Sequence, residues 1–408
     1  MAHSSNSSFF SLEEISKLKS SFEMDGLMRA TPQIQKKLNE LDNTELNIAV
    51  TGESGSGKSS FINAMRSLQS DDEGAAQTGT TETTMEPTGY RHPSLPNVCF
   101  WDLPGIGTII FPTENYSKEM QFNKYDLFII ISACRFSEND VKLTKEIKRL
   151  GKNFYFIRTK IDNDLRSMRK RGRKFNEEEE LEKIRNYCVR SLQKAGIPSP
   201  HVFLISNFDL NLYDFDLLSK TLDVDLPNIK RSIYTLALPN LNLEIVERKR
   251  EELREQVWMM ATLSGAVGAV PVPGVSLACD IGIVLKGIVH FRKCLGLDDA
   301  SLQRLANEVR KPVEDLKAVV KTPLVGEITP DIITGLHWGL ASATISAVEL
   351  AFNNIPIIGS IFGAGSSFLV TYKLLTGALD DLTENAKRVV KAALGIDKNA
   401  PEQNQSMS

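Results

Sequence analysis

Gly52-Glu53-Ser54-Gly55-Ser56-Gly57-Lys58-Ser59 matches the pattern G-x-x-x-x-G-K-[ST] at every fixed position. It follows the apolar run Leu46–Val50 and opens a stretch with helical spacing over 58–69. The reading is therefore strand, tight loop, helix, which is the context this phosphate-binding pattern requires. The glycines permit backbone angles that aim consecutive N–H groups at a phosphate. The helix N-terminus adds its dipole. In that arrangement Lys58 lies along the β- and γ-phosphates and the Ser59 hydroxyl ligates Mg²⁺. A flexible Gly/Ser turn would give a similar composition but not this strand-and-helix frame.

Working outward, four further apolar runs read as strands: Val98–Asp102, Leu127–Ser132, Phe154–Arg158 and Val202–Ile205. Unbroken runs such as Phe128-Ile129-Ile130-Ile131 point to strands buried on both faces. Helical patterns over 58–69, 115–122, 138–150 and 177–195 separate most of them. Alternating strands and helices predict an α/β unit with a doubly wound, mostly parallel sheet. Residues 11–42 carry helical spacing, with Thr31-Pro32 as an N-cap and first helical position. Beyond Leu226 strand signals stop, and 227–396 reads as helices. The predicted organisation is an N-terminal helical segment (1–42), a nucleotide-binding domain (43–226), a C-terminal helical domain (227–396) and a disordered polar tail (397–408).

Three more strand ends carry chemistry. Asp102-Leu103-Pro104-Gly105 ends one strand; Asp102 can hold a metal-bound water and the Gly105 N–H can sense a γ-phosphate. The string alone is weak, since an ordinary turn produces it. Thr159-Lys160-Ile161-Asp162 follows another strand and matches the base-reading motif [NT]KxD. The Asp162 carboxylate accepts two hydrogen bonds from guanine N1–H and N2–H₂, the Lys160 stem covers the base, and adenine offers no such donor pair. Ser206-Asn207 follows the last strand and fits a backbone contact to guanine O6. The ordered set points to GTP rather than ATP. Between the first helix and Asp102 lies Gln77-Thr78-Gly79-Thr80-Thr81-Glu82-Thr83-Thr84-Met85-Glu86, where a switch segment belongs. One of its threonines completes the Mg²⁺ shell; the sequence does not choose among them. Ile106-Gly107-Thr108 supplies no Gln, Glu or His beside Gly105 to orient an attacking water. Either hydrolysis is very slow, or the group comes from elsewhere, with Glu82 and a second protomer as the candidates.

Composition narrows the class. The chain has 408 residues, 42% apolar and 24% charged, enough for two to three globular units. A net charge of −3 disfavours general nucleic-acid binding. Cys99, Cys134, Cys188, Cys279 and Cys294 form no CxxC pair and read as reduced thiols of a cytoplasmic protein. The five histidines show no ligand spacing. The start Met-Ala-His-Ser predicts neither a secretory signal nor N-myristoylation, which needs Gly after Met. Val257–Cys279 and Leu350–Tyr372 are free of charge and long enough to suggest spans, yet each is broken centrally, by Pro271, Pro273 and Gly274 and by Pro356 and Gly359. Buried helical hairpins fit better, with conditional membrane insertion or surface binding as the alternative. Arg166, Arg169, Lys170, Arg171, Arg173 and Lys174 read as a solvated loop leading into the acid-rich start of a helix, with a lipid headgroup contact as the alternative.

The chain resembles the interferon-inducible immunity-related GTPases. The matching residues are Val50 through Asn63, Glu73-Gly74-Ala75-Ala76-Gln77-Thr78-Gly79, Val98 through Gly107, Phe128 through Ala133, and Leu297-Asp298-Asp299-Ala300-Ser301-Leu302-Gln303-Arg304-Leu305-Ala306. The resemblance covers roughly residues 10–395. It implies a Ras-like GTPase domain set between N- and C-terminal segments that together form an all-α domain. Lys58 in the GKS form is similar to the effector class. The resemblance implies nucleotide contacts from Gly52 through Ser60, from Thr78, Gly79, Thr80, Thr81 and Glu82, and from Asp102, Gly105, Thr159, Lys160, Asp162, Ser206 and Asn207. Ser59 and Asp102 are the expected Mg²⁺ residues. Lys58 and Glu82 are the expected catalytic residues, with Glu82 acting at a face shared by two protomers. GTP-driven self-assembly and defence at intracellular or pathogen-containing membranes are implied as well. A very slow GTP-loaded adaptor and a membrane-remodelling oligomer are the alternatives.

Overall fold

The computed structural model describes residues 9–25, 27–79, 86–105, 116–133, 138–170, 175–268, 275–326 and 366–396. Its contacts divide the chain into two compact units, one of residues 45–241 and one of residues 1–44 with 242–408.

The first unit is built on a six-stranded sheet: β1 (Leu46–Gly52), β2 (Thr88–Arg91), β3 (Val98–Asp102), β4 (Leu127–Ser132), β5 (Asn153–Arg158) and β6 (Val202–Leu204). The spatial order is β2-β3-β1-β4-β5-β6, and every neighbouring pair is parallel except β2 against β3. All six residues of β4 and all three of β6 are buried, as their unbroken apolar runs require when helices cover both sheet faces. β2 is an addition to the five expected strands. Its Thr-Gly-Tyr-Arg sequence lies at the sheet edge and alternates half-buried with exposed, a pattern too short and too polar to signal a strand.

The helices of this unit are α3 (Lys58–Met65), α4 (Tyr116–Glu119), α5 (Glu138–Arg149), α6 (Ile161–Lys170), α7 (Glu177–Lys194), α8 (Phe215–Asp225) and α9 (Asn228–Ala237); α1 (Leu12–Asp25) and α2 (Leu27–Asn43) belong to the other unit. The core joins Phe128, Ile130 and Phe156 of the sheet to Leu143 and Ile147 of α5, Leu165 of α6 and Cys188 and Leu192 of α7. α6 corrects the reading of the basic stretch. Ile161 and Leu165 are buried four residues apart, and Arg166, Arg169 and Lys170 ride a helix rather than a loop. Arg171, Arg173 and Lys174 lie outside the described residues. α7 starts as its acidic run suggests, with the Asn176 side chain accepting from the Glu178 N–H at 3.1 Å. α9 also falls on the sheet side of the division, whose first unit runs to Leu241. Its Ile233, Tyr234 and Leu236 are buried, which a helix-only reading of 227–396 could not assign to either unit.

The second unit packs α2, α10 (Leu243–Gly268), α11 (Val275–Cys294) and α14 (Ser366–Leu394), with the shorter α12 (Asp299–Val309) and α13 (Val313–Ala318). α2 starts at Leu27, so Pro32 lies inside it and Thr31-Pro32 is not its N-terminus. The proline costs one backbone bond. Phe10 and Trp258 meet with ring centroids 5.6 Å apart, and buried Lys37 pairs with Glu14 at 2.8 Å. The stretch Leu297–Ala306 caps and opens α12: Asp298 Oδ1 accepts from the Ser301 N–H at 3.1 Å and Asp298 Oδ2 from Ser301 Oγ at 2.6 Å. Val257–Gly268 is the C-terminal part of α10, with Val257, Met259 and Ala261 buried. Among the described residues, no helix is long and apolar enough to cross a membrane. The breaks at 270–274 and 355–359 and the tail 397–408 lie outside those residues. Cys99, Cys188 and Cys294 are buried free thiols.

Candidate functional site

The loop after β1 owes its path to glycine at two points. At Gly52 (φ 138°) a Cβ would stand 2.1 Å from the Ile131 carbonyl oxygen, because β1 and β4 are paired there. Gly57 (φ 97°) caps α3 in the left-handed region without a side-chain hydrogen bond. The α3 N-terminus thus opens onto the loop with its first N–H groups directed outward.

Three side chains from the far strand ends tie this loop down. Thr159 Oγ1 donates to the Ser56 carbonyl at 2.7 Å, Lys160 Nζ to the Gly55 carbonyl at 2.8 Å, and Asn207 Nδ2 to the Gly57 carbonyl at 3.0 Å. Lys160 itself takes a left-handed φ of 59°. The Gly52–Ser59 loop and the segments at Thr159–Lys160 and Asn207 are therefore one hydrogen-bonded piece, which sequence spacing could not show.

A cleft of about 300 Å³ runs along this piece. Ser54, Gly55, Gly57, Lys58, Ser59 and Ser60 line it from the phosphate loop, Thr78 and Gly79 from the switch segment, Gly105 from the Asp102 turn, and Lys160, Asp162 and Asn207 from the base end. Gly52, Glu53, Ser56, Asp102, Thr159 and Ser206 are outside that lining. Ser56, Asp102, Thr159 and Ser206 are buried and act as its frame. Thr80, Thr81 and Glu82 lie outside the described residues. Two lining residues escaped the sequence reading, Asn163 and Phe208. Each directly follows a motif residue, and that adjacency was the available signal.

At the phosphate end, Lys58 is 7% exposed and its ammonium donates to the carbonyls of Glu53 at 3.1 Å and Gly52 at 3.4 Å. Ser59 Oγ donates to Asp102 Oδ2 at 2.5 Å. A hydroxyl and a carboxylate in contact at the mouth of an anion-binding loop form a hard-oxygen donor set, which fits Mg²⁺. At the base end, Asp162 Oδ1 is buried and accepts no hydrogen bond among the described residues. A buried carboxylate oxygen without a donor is costly, and a ligand N–H edge would relieve it.

The Asp102 turn is held from behind. Fully buried Tyr116 donates its phenolic O–H to the Pro104 carbonyl at 2.6 Å and sits 3.1 Å from Thr51 Oγ1. Burial pushes its phenol well above the usual range, so it stays a donor. The adjacent Gly105 passes so close to the loop that a Cβ there would meet the Ser54 backbone nitrogen at 3.0 Å. Tyr116→Phe is expected to cost about 1–2 kcal/mol of stability, as a buried acceptor loses its donor. It should lower the turnover number several-fold with nucleotide affinity unchanged. Thermal unfolding and steady-state kinetics read both; unaltered kinetics would show that the contact serves folding only.

The family model for the interferon-inducible GTPase (IIGP) matches residues 11–391. The chain is 39% identical to interferon-inducible GTPase 5 of Rattus norvegicus over 96% of its own length and 84% of that protein's. It is 37% identical to interferon-gamma-inducible GTPase 10 of Mus musculus, over 94% and 90%. T-cell-specific guanine nucleotide triphosphate-binding protein 2 of Mus musculus is 43% identical over 76% and 75%. Among solved structures, NFeoB from S. thermophilus bound to GDP, AlF₄⁻ and K⁺ aligns over 67% of this chain and 91% of its own, at 16% identity and a TM-score of 0.31. Since the family match runs through the phosphate loop, the base-reading turn and the helical unit alike, the chain belongs to the interferon-inducible GTPase family.

Proposed function

We propose that the cleft binds GTP with Mg²⁺ and hydrolyses it, and that hydrolysis is completed when two copies of the chain meet. The observation that carries the guanine reading is the donorless buried Asp162 Oδ1 at one end of a cleft whose other end is the α3 N-terminus. Guanine N1–H and N2–H₂ match that carboxylate; adenine would leave it unpaired. Loop N–H groups cradle the phosphates. Lys58 exchanges its bonds to the Gly52 and Glu53 carbonyls for the β- and γ-phosphate oxygens. Ser59 and Asp102 would hold Mg²⁺, which when bound neutralises charge on the transferred phosphate. The Gly105 N–H meets the γ-phosphate, and its place is set by Tyr116.

No residue of the described Asp102 turn orients water, so an isolated protomer should turn over at about 10⁻⁴ s⁻¹. Glu82, in the switch segment, is the residue we assign to completing the site across two copies. Specific activity should then rise with protein concentration, and Glu82→Ala should flatten that rise with GTP affinity nearly intact. Turnover and light scattering from sub-micromolar protein upward check this; constant specific activity without assembly would contradict it. We also propose, on family membership, a role in cell-autonomous immunity and peripheral contact with intracellular or vacuolar membranes. Flotation with liposomes in GTP and in GDP tests the latter.

A further inference from the structure

Phe208 is 81% exposed, although it lines the same cleft as Asp162, Lys160 and Asn207. Its neighbours in the fold are strongly buried: Ser206 is 1% exposed and Ile205 fully buried. A phenyl ring left in water at the mouth of a cleft gains from any flat apolar surface that covers it.

The ring does not hang on a loose loop. The Phe208 N–H donates to Ser206 Oγ at 3.3 Å, and the residue before it is anchored by Asn207 Nδ2 on the Gly57 carbonyl. Just after it, Asp209 Oδ1 accepts from the Asn211 N–H at 3.2 Å, a turn that fixes the departing chain. The backbone is thus pinned on both sides of a residue whose side chain is free to meet a ligand. Lys160, whose ammonium is tied to Gly55, adds its methylene stem to the same end of the cleft. The three groups together call for a particular occupant. Asp162 needs an N–H edge; Phe208 and the Lys160 stem need flat apolar faces. A purine base carries both.

We propose that Phe208 is the stacking residue of the base site, covering one face of the guanine whose edge Asp162 reads. This rests on the guanine reading of the cleft and extends it to a residue outside the recognised motifs. Base–aromatic stacking supplies affinity that is indifferent to which purine is present. Phe208 therefore sets how tightly and how long the nucleotide is held, while Asp162 sets which base is accepted. A stacked ring acts on GTP and GDP alike and is blind to the phosphates.

The test is calorimetry on the full chain with Mg²⁺, using GDP, ADP and inorganic pyrophosphate as probes. Phe208→Ala should weaken GDP about tenfold and leave pyrophosphate within twofold of wild type. Phe208→Tyr should restore GDP affinity, and the emission of Phe208→Trp should be quenched on adding GDP. GDP affinity unchanged in Phe208→Ala would overturn the proposal, as would equal losses for GDP and pyrophosphate, which would mean a general distortion of the loop. Unchanged GDP affinity with lost concentration-dependent assembly would assign Phe208 to a protein contact and overturn it too. The underlying guanine reading fails separately, if wild type binds ADP as well as GDP.

Discussion

Lys58→Ala is expected to lower GTP turnover by at least about a hundredfold, the cost of removing one preorganised charge from a developing anion. Lys58 is the first residue of α3, and its burial at 7% exposure means that its charge acts where water screens poorly. Its ammonium donates to two loop carbonyls, those of Gly52 and Glu53, which hold it within the loop. Loss of the side chain removes the cation and leaves those carbonyls short of a donor. Nucleotide-driven assembly should disappear with turnover, because both depend on a loaded site. Lys58→Arg and a thermal unfolding curve separate chemistry from folding: an intact melting transition with turnover lost is the expected pattern. More than a tenth of wild-type turnover in Lys58→Ala would remove Lys58 from its assigned place.

Asp162→Asn should exchange the preferred base. On the proposed reading the carboxylate accepts two hydrogen bonds from guanine; an amide offers one donor group and one acceptor, which matches the xanthine edge instead. We expect GTP affinity to fall about a thousandfold or more, since a buried polar edge is then mispaired, while xanthosine triphosphate gains by a comparable factor. Asp162 is the second residue of α6, and Asn is nearly the same size, so the fold should not change. Competition between GTP and xanthosine triphosphate, read by calorimetry, gives the ratio directly. An unaltered ratio would show that another group reads the base.

The parts of this site that were legible in the sequence are those in which backbone geometry dictates residue type. A loop passing within 2.1 Å of a neighbouring strand's carbonyl at the Cβ position admits only glycine, so Gly52 announces itself. The strands β1, β3, β4, β5 and β6 announce themselves by short apolar runs, buried throughout in β4 and β6. What was not legible depends on contacts between distant residues. β2 is a strand only because β3 offers it an edge, and α6 is a helix because Ile161 and Leu165 find the sheet beneath a basic surface. α9 joins the sheet unit through packing that its own amphipathic sequence does not specify. Tyr116 and Phe208 belong to no motif. One is recruited by a hydrogen bond to Pro104 across 12 positions, the other by following Asn207 into the cleft.

In the proposed site the cleft selects guanine through Asp162. The most direct measurement is the affinity of the unmodified chain for GDP and for ADP by calorimetry in Mg²⁺. The two nucleotides share their phosphates and ribose, so the loop, Lys58 and Ser59 treat them alike and only the base end distinguishes them. GDP should bind at least about a thousandfold more tightly than ADP; equal affinities would contradict base selection by Asp162.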